Sequence, residues 1–149
     1  MRVVKIILFI ILLCFSVMAA NNNAGEAGQL AKESSLRPEN EDFYVAQKAF
    51  SEGFYEAAGK LFKEFIGKYP QSQKLNEAKL FMAKSLFYRN SFKEAEEILS
   101  ELINADLSSQ IKPQVLHWLG EINFQAKKYE KAKDFFKEVR QNLKQSFLN

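Results

Sequence analysis

The side chains that could carry chemistry in this chain are few and scattered. His117 is the only histidine and Cys14 the only cysteine. A nucleophile, a base and a group to orient the base must sit within hydrogen-bond reach of one another, and these two residues supply at most one member of such a set. A single His without nearby Cys cannot build the usual nitrogen and sulfur shell of zinc. The six glycines are dispersed, so no Gly-rich loop is available to cradle a phosphate. Carboxylates such as Glu94, Glu96, Glu97 and Glu101 alternate with lysines and read as a solvated helix face with some ion pairs. His117, beside Trp118, reads as a packing or surface histidine rather than a general base. The expectation is a protein that is not an enzyme, with no catalytic residue, metal or cofactor.

The N-terminus is a targeting signal by its layout. Arg2 and Lys5 precede an unbroken apolar run from Ile6 to Phe15, and Ser16-Val17-Met18-Ala19-Ala20 offers small residues for cleavage. The run is short for a membrane span, which takes about 20 apolar residues. The expectation is therefore a cleaved signal peptide over residues 1–20, cut after Ala19 or Ala20, and an exported protein. An uncleaved signal-anchor, tethering the chain to a membrane, is the alternative. Leu13 stands where a lipoprotein signal would carry a small residue before its cysteine, so Cys14 reads as part of the apolar run. Removing Arg2 and Lys5 from the 21 basic residues leaves 19 against 18 acidic ones. That near-balance gives no electrostatic reason to expect nucleic acid or an anionic membrane surface as partner. Residues 21–38, polar with two glycines, a Ser pair and Pro38, read as a flexible linker.

Beyond the linker the chain repeats itself every 37 residues. The offset aligns Tyr44, Phe81 and Trp118; Ala46, Ala83 and Gly120; and Phe50, Phe87 and Phe124. It also aligns Tyr55, Phe92 and Tyr129; Ala58, Ala95 and Ala132; and Phe65, Leu102 and Val139. A gapless register of this kind is not a product of composition, even with 14 Phe in the chain. Self-similarity at such a period indicates an array in which each unit buries its face against its neighbours. The units span about 39–75, 76–112 and 113–149, within a helical domain over 39–149.

Each unit reads as two helices. In the first, Gly53 separates a helix beginning near Glu39 from one over Tyr55 to Lys68, which Tyr69-Pro70 closes. In the second, helices over Lys74 to Arg89 and Phe92 to Ala105 flank a turn at Asn90-Ser91. The third begins at Pro113, turns at Lys127-Lys128 and ends with a helix from Tyr129 toward Lys144. No stretch alternates with period two, so the fold class is all-α: an α-solenoid of three antiparallel helix hairpins.

These hairpins resemble the tetratricopeptide repeat. Each carries a small residue in its first helix (Ala46, Ala83, Gly120) and an aromatic opening the second (Tyr55, Phe92, Tyr129). Each then has Ala-x-x-x-Phe/Leu, as Ala58…Phe62, Ala95…Leu99 and Ala132…Phe136. These twelve are the expected repeat-packing residues. The resemblance covers roughly residues 39–140, with two departures: the period is 37 where the family has 34, and the terminal proline survives only as Pro70. Lys68-Tyr69-Pro70-Gln71-Ser72 followed by Glu77-Ala78 also resembles a bacterial envelope subgroup. That subgroup includes outer-membrane assembly lipoproteins and Tol–Pal-associated periplasmic coordinators.

In tetratricopeptide arrays the first helices line a concave surface that holds a protein or peptide. The resemblance therefore implies a groove bearing Phe43, Leu80 and His117 in one series and Phe50, Phe87 and Phe124 in another. Gln47, Lys84 and Glu121 lie between them, with Tyr88 and Gln125 beside the second series. The competing reading of the Phe series is packing between helices, since aromatic stripes at helical spacing are usually core. Polar rungs in register favour the groove. The expected function is an exported scaffold that binds a protein or peptide, in a bacterial periplasm or envelope. Self-association is the alternative, suggested by Leu143, Phe147 and Leu148 at the end of the stack.

Overall fold

The three hairpin turns set the architecture. In a computed structural model that describes residues 38–146, Gly53, Asn90 and Lys127 adopt left-handed backbone at φ 83°, 62° and 58°. The positions are spaced by the repeat. At each, the left-handed residue donates its N–H to a carbonyl three residues back: Gly53 to Phe50 at 3.0 Å, Asn90 to Phe87 and Lys127 to Phe124 at 2.9 Å. The next N–H reaches five residues back, Phe54 to Ala49, Ser91 to Leu86 and Lys128 to Asn123, all at 2.9 Å. This pair of bonds satisfies the last carbonyls of a helix and reverses the chain. Gly and Asn tolerate the conformation; Lys127 adopts it against the preference of a residue with a long side chain.

Six helices follow from these turns, and no strand occurs among the described residues. The first, α1, covers 38–51. It pairs with α2 (Tyr55–Lys68), α3 (Leu75–Tyr88) pairs with α4 (Phe92–Leu102), and α5 (Lys112–Gln125) pairs with α6 (Tyr129–Ser146). Adjacent helices pack in chain order, as in a tetratricopeptide-like solenoid. Glu41–Asn149 group as one unit and Met1–Asn40 as another. Of the signal peptide and linker expected over residues 1–38, residues 1–37 lie outside the described residues, as do Phe147 and Leu148, while Pro38 is already helical.

One helix is shorter than its sequence suggests. The expected end at Ala105 is instead Leu102, because the backbone tightens there: Asn104 and Ala105 bond to carbonyls three residues back, Glu101 and Leu102. The side chain of Asn104 also takes the Ser100 carbonyl at 2.8 Å. No proline marks that end, so nothing in the sequence announced it.

The small residues sit where the register put them. Ala46, Ala83, Ala58, Ala95 and Ala132 are buried, and so is Gly120. A Cβ added at Gly120 would lie 2.6 Å from Cε1 of Phe136, so the bare backbone is what lets that ring lie against α5. Phe62 and Leu99, the matching residues of the other hairpins, are fully buried, each worth roughly 1.5–3 kcal/mol of transfer free energy.

Candidate partner-binding face

The first helices of the hairpins, α1, α3 and α5, carry the residues expected to line a groove, and the structure divides them. Phe43 and Leu80 are 4% and 1% exposed, so these two are core and not groove contacts. The cover on Phe43 comes mainly from its own hairpin, Phe62 and Phe65 of α2 at 5.8 and 5.2 Å, and in part from the next, Phe81 of α3 at 6.5 Å. Phe50 and Phe87 are half-buried by the same kind of contact. Phe50 packs on Tyr55 and Phe81 at 5.4 and 5.1 Å, and Phe87 on Phe92 and Trp118 at 5.2 and 5.0 Å. For these four, packing within and between hairpins describes the position better than groove lining.

In the third hairpin the same register is open. Phe124 is 51% exposed and touches Tyr129 at 5.5 Å; Tyr129, expected to be a packing residue, is 56% exposed. Its counterpart Tyr55 is half-buried because Tyr88 stacks on it at 4.4 Å and 15°. His117 and Gln125 are exposed. The His117 ring stands 5.6 Å from Trp118 and 5.8 Å from Phe136, and its Nε2 lies 3.9 Å from Oε1 of Glu121. Phe136 is half-buried rather than core.

What survives as a candidate surface is centred on Lys84. Its ammonium lies over three rings: Phe81 at 4.5 Å, Phe50 at 5.1 Å and Trp118 at 5.6 Å. Burial pushes its pKa down, opposed by the field of Glu77. It makes no ion pair among the described residues. Tyr88, exposed, extends the ring surface toward Tyr55, Phe50 and Trp118. On the other side a groove of about 310 Å³ is lined by Tyr44, Gln47, Lys48, Phe50, Ser51 and Phe81. Tyr44, at 64% exposure, and Trp118 belong to this surface, although the sequence aligned them with Phe81 without assigning them a face. Their register with a ring that holds the lysine is the signal that would have found them.

Such a surface offers groups suited to binding. Aromatic planes accept apolar side chains, and a partly desolvated cation attracts an anion more strongly than one in water. Among the described residues no group of three His, Cys, Asp or Glu is placed to hold a metal.

The third hairpin carries a likeness to a known family. Residues 114–146, which span α5 and α6 almost entirely, match the tetratricopeptide repeat family model. Over those residues the chain is similar to a tetratricopeptide repeat. The 37-residue register extends the same hairpin to the two preceding units, whose turns and buried alanines coincide with it. Tetratricopeptide repeats generally mediate protein–protein interaction and are typically scaffolds rather than enzymes. No curated protein matches the chain. Among the described residues no helix is long and apolar enough to cross a membrane.

Proposed function

We propose that the protein is an exported tetratricopeptide scaffold that holds a protein or peptide partner on the first-helix face around Lys84. The observation that carries this reading is the lysine itself. A half-buried ammonium lying over three rings, which feels the field of Glu77 but makes no ion pair among the described residues, is open to a second carboxylate. A carboxylate on a partner segment completes it, while the ring surface and the groove beside Tyr44 take apolar side chains. Export rests on the basic, apolar and small-residue pattern of residues 2–20, and a place in a bacterial envelope on the Tyr69-Pro70 loop resemblance.

A photo-reactive residue in place of Tyr44, in the full chain expressed in its host, tests the surface. A discrete crosslinked adduct is expected, and Lys84→Met, which keeps the stem but removes the charge, should deplete it at least fivefold, about 1 kcal/mol of binding. An adduct indifferent to Lys84, or none, overturns the proposal. N-terminal sequencing of the same material should begin at Ala20 or Asn21; a start at Met1 would favour the membrane-tethered adaptor instead.

A further inference from the structure

The near-balance of charge over the whole chain conceals a local excess. Residues 113–149 carry seven basic residues against four acidic ones, while residues 39–112 carry ten against twelve. Four of the seven lie on α6, at Lys133, Lys137, Arg140 and Lys144. At 3.6 residues per turn that spacing keeps them within about 60° of arc, in a stripe about 17 Å long. All four are exposed. Lys133 pairs with Glu130 at 3.2 Å, and the other three make no ion pair among the described residues. The remaining carboxylates of the helix lie to one side, where Asp134 and Glu138 line a cleft of about 400 Å³ that α6 forms with α4 and α5. Tyr129 and Leu143, 56% and 45% exposed, border the stripe on its other side. Tyr129 also touches the exposed ring of Phe124 at 5.5 Å.

The repeat marks these cations as departures. Arg140 holds the register of Ile66 and Ile103, and Lys144 that of Pro70 and Leu107. Ile66, Ile103 and Leu107 pack on core clusters that include the first helix of the following hairpin. Lys133 holds the register of Gly59, which comes close to Ser85 of α3. His117, exposed, stands likewise where Phe43 and Leu80 are buried. The third hairpin thus presents charge at positions where the other two receive a neighbour.

We infer that α6 lays this stripe on an anionic phospholipid surface. Headgroup phosphates face the four cations, while Tyr129, Phe124 and Leu143 reach toward the boundary between headgroups and acyl chains. Cations bordered by rings and an aliphatic side chain are the composition that such a boundary attracts. The methylene stems of lysine and arginine lie along apolar surface and keep their charge among the headgroups. An extended row of cations also matches a plane of repeated charges better than it matches one carboxylate. The stripe lies on a second helix and the Lys84 surface on first helices, so neither reading depends on the other.

The test is co-sedimentation of the full chain, purified from its host, with vesicles of one part phosphatidylglycerol to two parts phosphatidylcholine, and with vesicles of phosphatidylcholine alone. Partition onto the anionic vesicles is expected to exceed that onto the neutral ones at least tenfold, and to fall as salt rises. Each cation near an anionic surface is worth about a fivefold change in partition. Lys137→Gln, Arg140→Gln and Lys144→Gln together should therefore lower anionic partition at least twentyfold, with an unchanged melting midpoint. Lys63→Gln, Arg89→Gln and Lys93→Gln remove the same charge elsewhere and should change it less than twofold. Equal partition onto the two kinds of vesicle overturns the proposal. So do equal losses in the two triple variants, since net charge alone would then be acting. A chain that ignores the vesicles but binds poly-glutamate through the α6 cations would overturn the membrane in favour of an acidic protein. A chain that binds neither, and whose α6 triple variant precipitates, would show the stripe to be a solubilising cap.

Discussion

The two junctions between hairpins share one register and close in different ways. Between the first and second, rings fill the space: Phe81 stacks on Phe62 at 5.3 Å and 9°, and meets Phe50 edge-on at 5.1 Å. Gly59 of α2 comes close to Ser85 of α3, where an added Cβ would stand 3.5 Å from that of the serine. Ser85 is buried and returns its hydroxyl to the Phe81 carbonyl at 2.8 Å. Between the second and third hairpins, Glu96 takes the place of Gly59, Ile122 that of Ser85 and Asn123 that of Leu86. The first helices still touch there, Phe87 on Trp118, but the second helices leave the cleft. α4 is also shorter than α2, at 11 residues against 14. A repeat decides which positions face one another; size and polarity at those positions decide whether they close.

The largest test of that contrast is truncation at one register in two hairpins. Phe62→Ala removes a fully buried ring from the filled junction and should cost about 3–5 kcal/mol. Phe136→Ala, at the half-buried counterpart beside Gly120, should cost clearly less. Denaturant unfolding of both variants measures the difference, and equal losses would mean that this register is as tightly packed in the third hairpin as in the first.

Much of this was legible in the sequence, for reasons that also mark where it stopped. The turns at Gly53 and Asn90 carry residues that accept left-handed backbone, while Lys127 was found by register alone. The alanines of the register announce close helix contacts, and all of them are buried. The end of α4 carried no stop signal. Phe43 and Leu80 were placed on a groove because helical spacing identifies a face and not what covers it; the second helix of the same hairpin and the hairpin that follows both pack in the clusters that hold these two. Asn123 was invisible for the opposite reason. A polar residue in an apolar pattern is read as facing outward, and only the packing of α4 and α6 shows it turned in.

The smallest expected effect concerns a polar tie that the first hairpin has and that has no counterpart in the second among the described residues. Oδ2 of Asp42 on α1 accepts from Nζ of Lys68 at 2.7 Å and from the Tyr69 hydroxyl at 2.8 Å, both at the far end of α2. One repeat on, the same positions hold Lys79, Ala105 and Asp106, and α4 has already ended at Leu102. The hydrogen bond from Lys68, then that from Tyr69, holds the Asp42 carboxyl below its ordinary value of 3.8. A depressed carboxylate pKa stabilises the fold above the unfolded value and ceases to do so as pH falls through the folded one. Asp42→Asn should therefore lower the melting midpoint slightly at neutral pH, by less than either truncation, because the pair is largely exposed and salt-screened. The deficit should shrink as pH drops below the carboxylate range and also at high salt. Melts of wild type and Asp42→Asn across pH check this. A deficit that persists unchanged in acid would show that the side chain holds the hairpin by something other than its charge.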